Sequence, residues 1–177
     1  MNRFANRGTG GSGSARYCYS VWLRHLVRAR QAAPALTIPA VGEFGPGDSI
    51  GAGLAALLSG ARAYYAFDAK AHARPERNLA VLETLIGLFS RREPIPDDAE
   101  FPFVIPKLSD YRFPRSILPD DTLAAALHPE RIDAIRRCVE TPSIRGPIHY
   151  IAPWTGASLL PPGTLDLIWS QAVLWST

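Results

Sequence analysis

The stretch that decides the reading is V-G-E-F-G-P-G-D-S-I-G, residues 41–51. An apolar run leads into it, an acid precedes the glycines at 45, 47 and 51, and a second apolar run follows. That order predicts a strand, a tight turn and the start of a helix. Without Cβ atoms, Gly45 and Gly47 let the turn bend sharply and let another molecule approach the backbone closely. Asp48 or Ser49 is the expected helix cap, and the helix N-terminus suits a phosphate or a carboxylate equally well. The glycines alone leave the ligand open.

Two features narrow the choice. The dinucleotide fingerprint G-x-G-x-x-G is incomplete, because its third glycine position is Ile50. Glu43, two residues before the first glycine, places a carboxylate at the strand's carboxyl end, where it would repel a pyrophosphate and neutralise a cation. With Gly45, Pro46 and Gly47 it resembles motif I of the class I S-adenosylmethionine-dependent methyltransferases: an acid, one residue, then a glycine-rich turn. Ser49 stands where that family often has a third glycine. The resemblance implies that these four residues hold the amino-acid end of S-adenosylmethionine.

A second acid follows in order. After a predicted helix over 50–59 and a C′ glycine at Gly60, A-R-A-Y-Y-A-F-D reads as a strand ending at Asp68. A carboxylate there can accept both hydroxyls of a ribose, and its distance of about 20 residues from the turn is usual in open α/β folds. The resemblance gives Asp68 that role.

The rest of the chain is consistent with one domain. Its 177 residues, 47% hydrophobic and 20% charged, describe a globular protein large enough for a real core. The net charge of +3 is modest and gathers in front, at Arg3, Arg7, Arg16, Arg24, Arg28 and Arg30, read as a solvated helix face and a loose leader. Nucleic acid is not an expected partner. Residues 1–14 are read as a flexible leader and 15–177 as a single domain, with no membrane span and a cytoplasmic location. The two cysteines, Cys18 and Cys138, are expected to be reduced core thiols, and no metal-ligand spacing is present.

Apolar positions Tyr19, Trp22, Leu23, Leu26 and Val27 predict a helix over 15–31 before the first strand, itself expected over 37–44. After Asp68, Pro75 opens another helix with a stripe at Leu79, Leu82, Ile86 and Phe89. The alternation predicts an α/β fold with a doubly wound, mostly parallel sheet. Between Arg91 and Pro119, six prolines alternate with Phe101, Phe103, Tyr111 and Phe113, which predicts an ordered, irregular insertion, either roofing the cleft or packed as a satellite. A helix pair broken at His128-Pro129 follows, capped by Asp120 or Asp121, then strands over 147–151 and 164–170.

The family resemblance extends through these strands. It implies that the loop after the third strand borders adenine, with Trp154 against the base, although the acid usual in that loop is missing. The last strand resembles motif IV, with Asp166, Ser170 and Gln171 at the matching positions. Ser170 and Gln171 would then face the methionine part of the cofactor and the substrate. The implied order is 3-2-1-4, the first four strands of a seven-stranded family sheet, so the domain is expected to lack its C-terminal part. Its fourth strand would be an open edge, with homodimerisation across it.

Methyl transfer requires proximity and a dry cleft more than a triad, and no catalytic residue is assigned. Tyr17, Tyr19 and His25 are within possible reach of a ligand, with His25 or His149 as a base. The expected activity is methylation of a small-molecule acceptor. The alternatives are a non-catalytic cofactor-binding remnant and a nucleotide-dependent oxidoreductase.

Overall fold

A computed structural model describes residues 11–70, 74–141, 146–156 and 160–171. In chain order the elements are α1 (Ala15–Ala32), β1 (Ala40–Phe44), α2 (Gly51–Leu58), β2 (Ala63–Phe67), α3 (Pro75–Ser90), α4 (Asp120–Ala126), α5 (Pro129–Glu140), β3 (Ile148–Ile151) and β4 (Leu167–Ser170). The strands form one parallel sheet in the order β3-β2-β1-β4. This is the order expected from the sequence, in an α/β fold of partial Rossmann-like type.

Alternation along each strand sorts the side chains onto two faces. Val41, Glu43, Tyr64, Ala66, Ile148 and Trp169 share the face on which the helices pack, and all six are buried. Apart from Glu43, they join one core with Trp22, Leu23, Leu54, Leu57, Leu82 and Leu85. The opposite face carries Phe44, Tyr65, Phe67, His149 and Ile168, and no described helix covers it. The loop after β3 crosses part of it, bringing Leu165 over Gly42, but Ile168 stays 48% exposed.

The strands are shorter than expected for local reasons. Pro39 has no N–H to donate, so β1 begins at Ala40, and the Pro39 carbonyl instead accepts N–H bonds from Arg62 and Ala63. β4 begins late because residues 161–164 form a turn, closed by the Thr164 hydroxyl on the Pro161 carbonyl. Asp166 then clamps β4 onto β1, its carboxylate accepting the Ala40 N–H at 2.8 Å and its own N–H donating to Ala40 O at 2.9 Å.

Three expectations are corrected. The buried stripe of α3 is Asn78, Val81, Leu82, Leu85, Leu88 and Phe89, with Leu79 and Ile86 only half-buried. The helix is rotated because it packs against α1, α2 and α5 together. Arg24 is not on a solvated face. Its side chain is wholly buried, donating to Ser20, Asp98 and the Pro96 and Val104 carbonyls at 2.8–2.9 Å, with Tyr111 under its guanidinium. Nor does an acid cap α4, since its N-cap is Pro119 and Asp120 and Asp121 lie in the first turn.

The Pro-rich insertion is ordered and lies along α1. Besides the Arg24 bonds, Tyr19 donates to Glu93 O and Ser20 to Pro96 O, both at 2.7 Å, and Arg16 pairs with Glu100. Ile95, Val104, Phe113 and Leu118 join the common core. Both cysteines are free and buried, and no described helix is long and apolar enough to cross a membrane.

Candidate functional site

Order 3-2-1-4 means that the chain builds outward from β1 through β2 and β3, then returns to place β4 on the other side of β1. The topological switch point is between β1 and β4, and ligands of open α/β sheets bind outside the carboxyl ends of the strands there. The glycine turn leaves β1 at this point. Gly45 and Gly47 have φ of 67° and 75°, a left-handed conformation that side-chain-bearing residues adopt at a cost, and Pro46 between them is buried.

The turn is tied to its neighbours. The Gly45 N–H donates to Phe67 O at 2.8 Å, and the Trp154 N–H donates to Asp68 O at 2.7 Å. The carboxyl tips of β1, β2 and β3 are therefore hydrogen-bonded side by side, which brings Gly45, Asp68 and Trp154 together. Asp68 is half-buried, with the Tyr150 hydroxyl 3.5 Å from one carboxylate oxygen. Trp154 is 38% exposed, its ring 4.8 Å from that of Phe44. With Phe67, Pro161, Leu165 and Ile168 it lines an apolar cavity of about 300 Å³ on the helix-free face.

The helix start differs from expectation. The N-cap of α2 is Ile50, which has no side-chain bond of its own, rather than Asp48 or Ser49. Its first donors are met from elsewhere: Asn78 accepts from Ile50 N–H and Ser49 Oγ from Gly51 N–H, both at 3.2 Å. Ser12 reaches in from the segment before α1. Its hydroxyl accepts the Asp48 N–H at 3.1 Å, and its carbonyl accepts from the Ser49 hydroxyl. Residues 11–14 of the segment expected to be a loose leader are thus docked on the turn. Asp48 faces Arg77 at 3.4 Å. With these donors satisfied by neutral side chains, the α2 N-terminus is poorly prepared for a pyrophosphate.

Glu43 does not stand open above the turn. It is 5% exposed, and the Tyr64 hydroxyl donates to its Oε2 at 2.6 Å. Burial pushes its carboxyl up to about 7. The Tyr64 bond and the nearby Trp169 indole oppose that rise, and the charge of Asp68 adds to it. The Asp68 effect places the two acids within electrostatic reach of each other. Tyr64 lies flat against α2, where a Cβ at Gly53 would overlap its ring. Neither Tyr64 nor Gly53 was singled out from the sequence, since strand alternation does not reveal which helix residue leaves room for which ring.

Buried polar groups lie at the end of β4: the Ser170 hydroxyl is without a hydrogen-bond partner among the described residues, while the Trp169 indole bears on Glu43 and the Gln171 side chain on His25. Burial brings His25 down to about 4, against a weaker opposing effect of Gln171. His25 is therefore neutral at pH 7, and the same burial makes it a weak proton acceptor. His149 lies elsewhere: it stacks on Tyr65 at 4.3 Å on the helix-free face, two residues below the tip of β3. His25 sits on α1 beside β4 and His149 on β3, so the two candidate bases lie on opposite faces and at opposite edges of the sheet.

Tyr19 is wholly buried and serves the core, whereas Tyr17 is half-buried against Phe101, 5.5 Å away. The charge of Glu43 acts on Tyr17, so this ring also lies near the turn. His72 and residues 172–177, including Trp175, lie outside the described residues. Among the described residues no cluster of His, Cys, Asp or Glu could hold a metal ion. No protein-family model, curated protein or solved structure matches the chain.

Proposed function

We propose that this domain binds S-adenosylmethionine and transfers its methyl group to a small-molecule acceptor. The observation that carries the reading is the carboxyl edge at the switch point, where a left-handed glycine turn follows β1, Asp68 follows β2 and the buried Ser170 hydroxyl, without a partner among the described residues, ends β4. The donor set suits an adenosyl amino acid. Asp68 accepts ribose hydroxyls, Gly45 and Gly47 allow the amino-acid end close to the backbone, and Trp154 offers a flat apolar surface at the base. The Ser170 hydroxyl has hydrogen-bonding capacity left for the methionine part, and Gln171 follows it. The carboxyl of Glu43 is the nearby counter-charge for its amino group.

When bound, S-adenosylmethionine supplies a methyl on a sulfonium, already activated toward a lone pair on the acceptor. What remains for the chain is to align the acceptor in line, keep water out and receive any proton the acceptor loses. His25, neutral and beside the β4 end, is our candidate for that last duty, with its burial opposing the imidazolium that would form. An oxidoreductase using a dinucleotide is disfavoured, because a pyrophosphate would have to displace Ser12, Asn78 and Ser49 from the α2 N-terminus. Calorimetric titration with S-adenosylhomocysteine, NAD and NADP separates these readings, and a labelled-methyl assay across acceptors separates an enzyme from a non-catalytic binder. Tight binding of NAD without binding of S-adenosylhomocysteine would overturn the proposal.

A further inference from the structure

We infer that Tyr64 is a positioning residue for the ligand site, its hydroxyl holding the Glu43 carboxyl in the orientation and anionic form that a cationic ligand group at the glycine turn requires. The inference rests on the binding reading above and extends it to proton coupling.

The geometry is a closed cluster. Glu43 and Tyr64 lie on neighbouring strands on the same face, 2.6 Å apart and both buried. Tyr64 keeps its place because Gly53 leaves room for its ring against α2. The groups that bear on Glu43 come from every side. β2 contributes Tyr64 and Asp68, β4 contributes Trp169, and α1 contributes Cys18 and Tyr17. α2, with the sequence G-A-G-L-A-A-L-L, contributes no titratable group. Among these neighbours there is no cation, and Asp68 and Glu43 repel each other. A buried carboxylate with no positive partner holds its proton readily.

A ligand ammonium supplies the missing charge. The protonated carboxyl then releases its proton to solvent as the ion pair forms, and binding becomes linked to pH. With the Glu43 carboxyl titrating at about 7 in the free protein, affinity should fall about tenfold for each pH unit below that point and level off above it. The Tyr64 hydroxyl favours the anion. Without it the transition moves to higher pH, so Tyr64→Phe should bind weakly at pH 7 and recover toward wild type at pH 8.5. A purely structural loss would lower affinity by the same factor at every pH.

The test is isothermal titration of the full chain with S-adenosylhomocysteine from pH 6 to 8.5, in two buffers of unlike ionisation enthalpy. The expected result is release of close to one proton per site at pH 6, declining to none at pH 8.5. Tyr64→Phe should shift the profile upward, and Glu43→Gln should flatten it. Binding that is tight but independent of pH would overturn the inference and leave the cofactor reading standing. Equal weakening of Tyr64→Phe across the range would also overturn it. Absence of binding at every pH would remove both.

Discussion

Glu43→Gln gives a ligand-free test of the burial that defines the site. The Glu43 carboxyl is moved from 4.5 to about 7, chiefly by burial. In this window the folded chain keeps a proton that the unfolded chain has lost. Stability therefore falls as pH rises from about 4.5 to about 7, and the contribution stays lost above it. A gap of roughly two and a half units corresponds to about 3 kcal/mol. His25 acts in the opposite direction: its folded value is lowered from 6.5 to about 4, so stability rises with pH between those values. The informative quantity is consequently the difference between wild type and variant. Urea unfolding at pH 5 and pH 8, followed by circular dichroism, should show Glu43→Gln gaining stability relative to wild type at pH 8 by about 1–3 kcal/mol over its standing at pH 5. The neutral amide can still accept the Tyr64 hydroxyl, so packing is nearly conserved. Identical pH dependence in the two proteins would refute the claim that this acid is buried without a cation.

Further outcomes follow from other contacts. Gly53→Ala should destabilise the fold by about 1–3 kcal/mol through overpacking on Tyr64, read as a lowered urea midpoint; an unchanged midpoint would mean that the ring is free to move. Arg24→Met should cost about 1–3 kcal/mol, because the Pro96 and Val104 carbonyls lose a buried charged donor, and limited proteolysis should find the segment 97–107 newly cleavable. Asp68→Ala should weaken S-adenosylhomocysteine binding by about 1–3 kcal/mol while leaving thermal stability nearly unchanged, since its side chain is only half-buried.

Much of the frame was legible because local chemistry and tertiary structure agree at the glycine turn. Residues 41–51 could form little except a strand, a turn and a helix, and Gly60, with φ of 105°, ends α2 as expected. Pro75 at the start of α3 and the break at His128-Pro129 were equally direct, because proline cannot donate a hydrogen bond. What the sequence hid was direction. Alternation along β1 put Glu43 on one face but did not show that α1 and α2 close over that face up to the strand's tip. The same limitation applies to Arg24, whose helical neighbours look solvated until the Pro-rich insertion wraps it. Ser12 lies in a Gly- and Ser-rich stretch with no pattern of its own. Only the position of the folded glycine turn gives it a partner, and with it a place at the site.

The central claim, that the carboxyl edge between β1 and β4 receives an adenosyl amino acid, is tested most directly by equilibrium titration of the chain with S-adenosylhomocysteine at pH 8, beside Asp68→Ala. Saturable one-to-one binding, weakened about five- to hundredfold by the substitution, is the expected result. No binding at millimolar ligand, or binding that Asp68→Ala leaves unchanged, would contradict it.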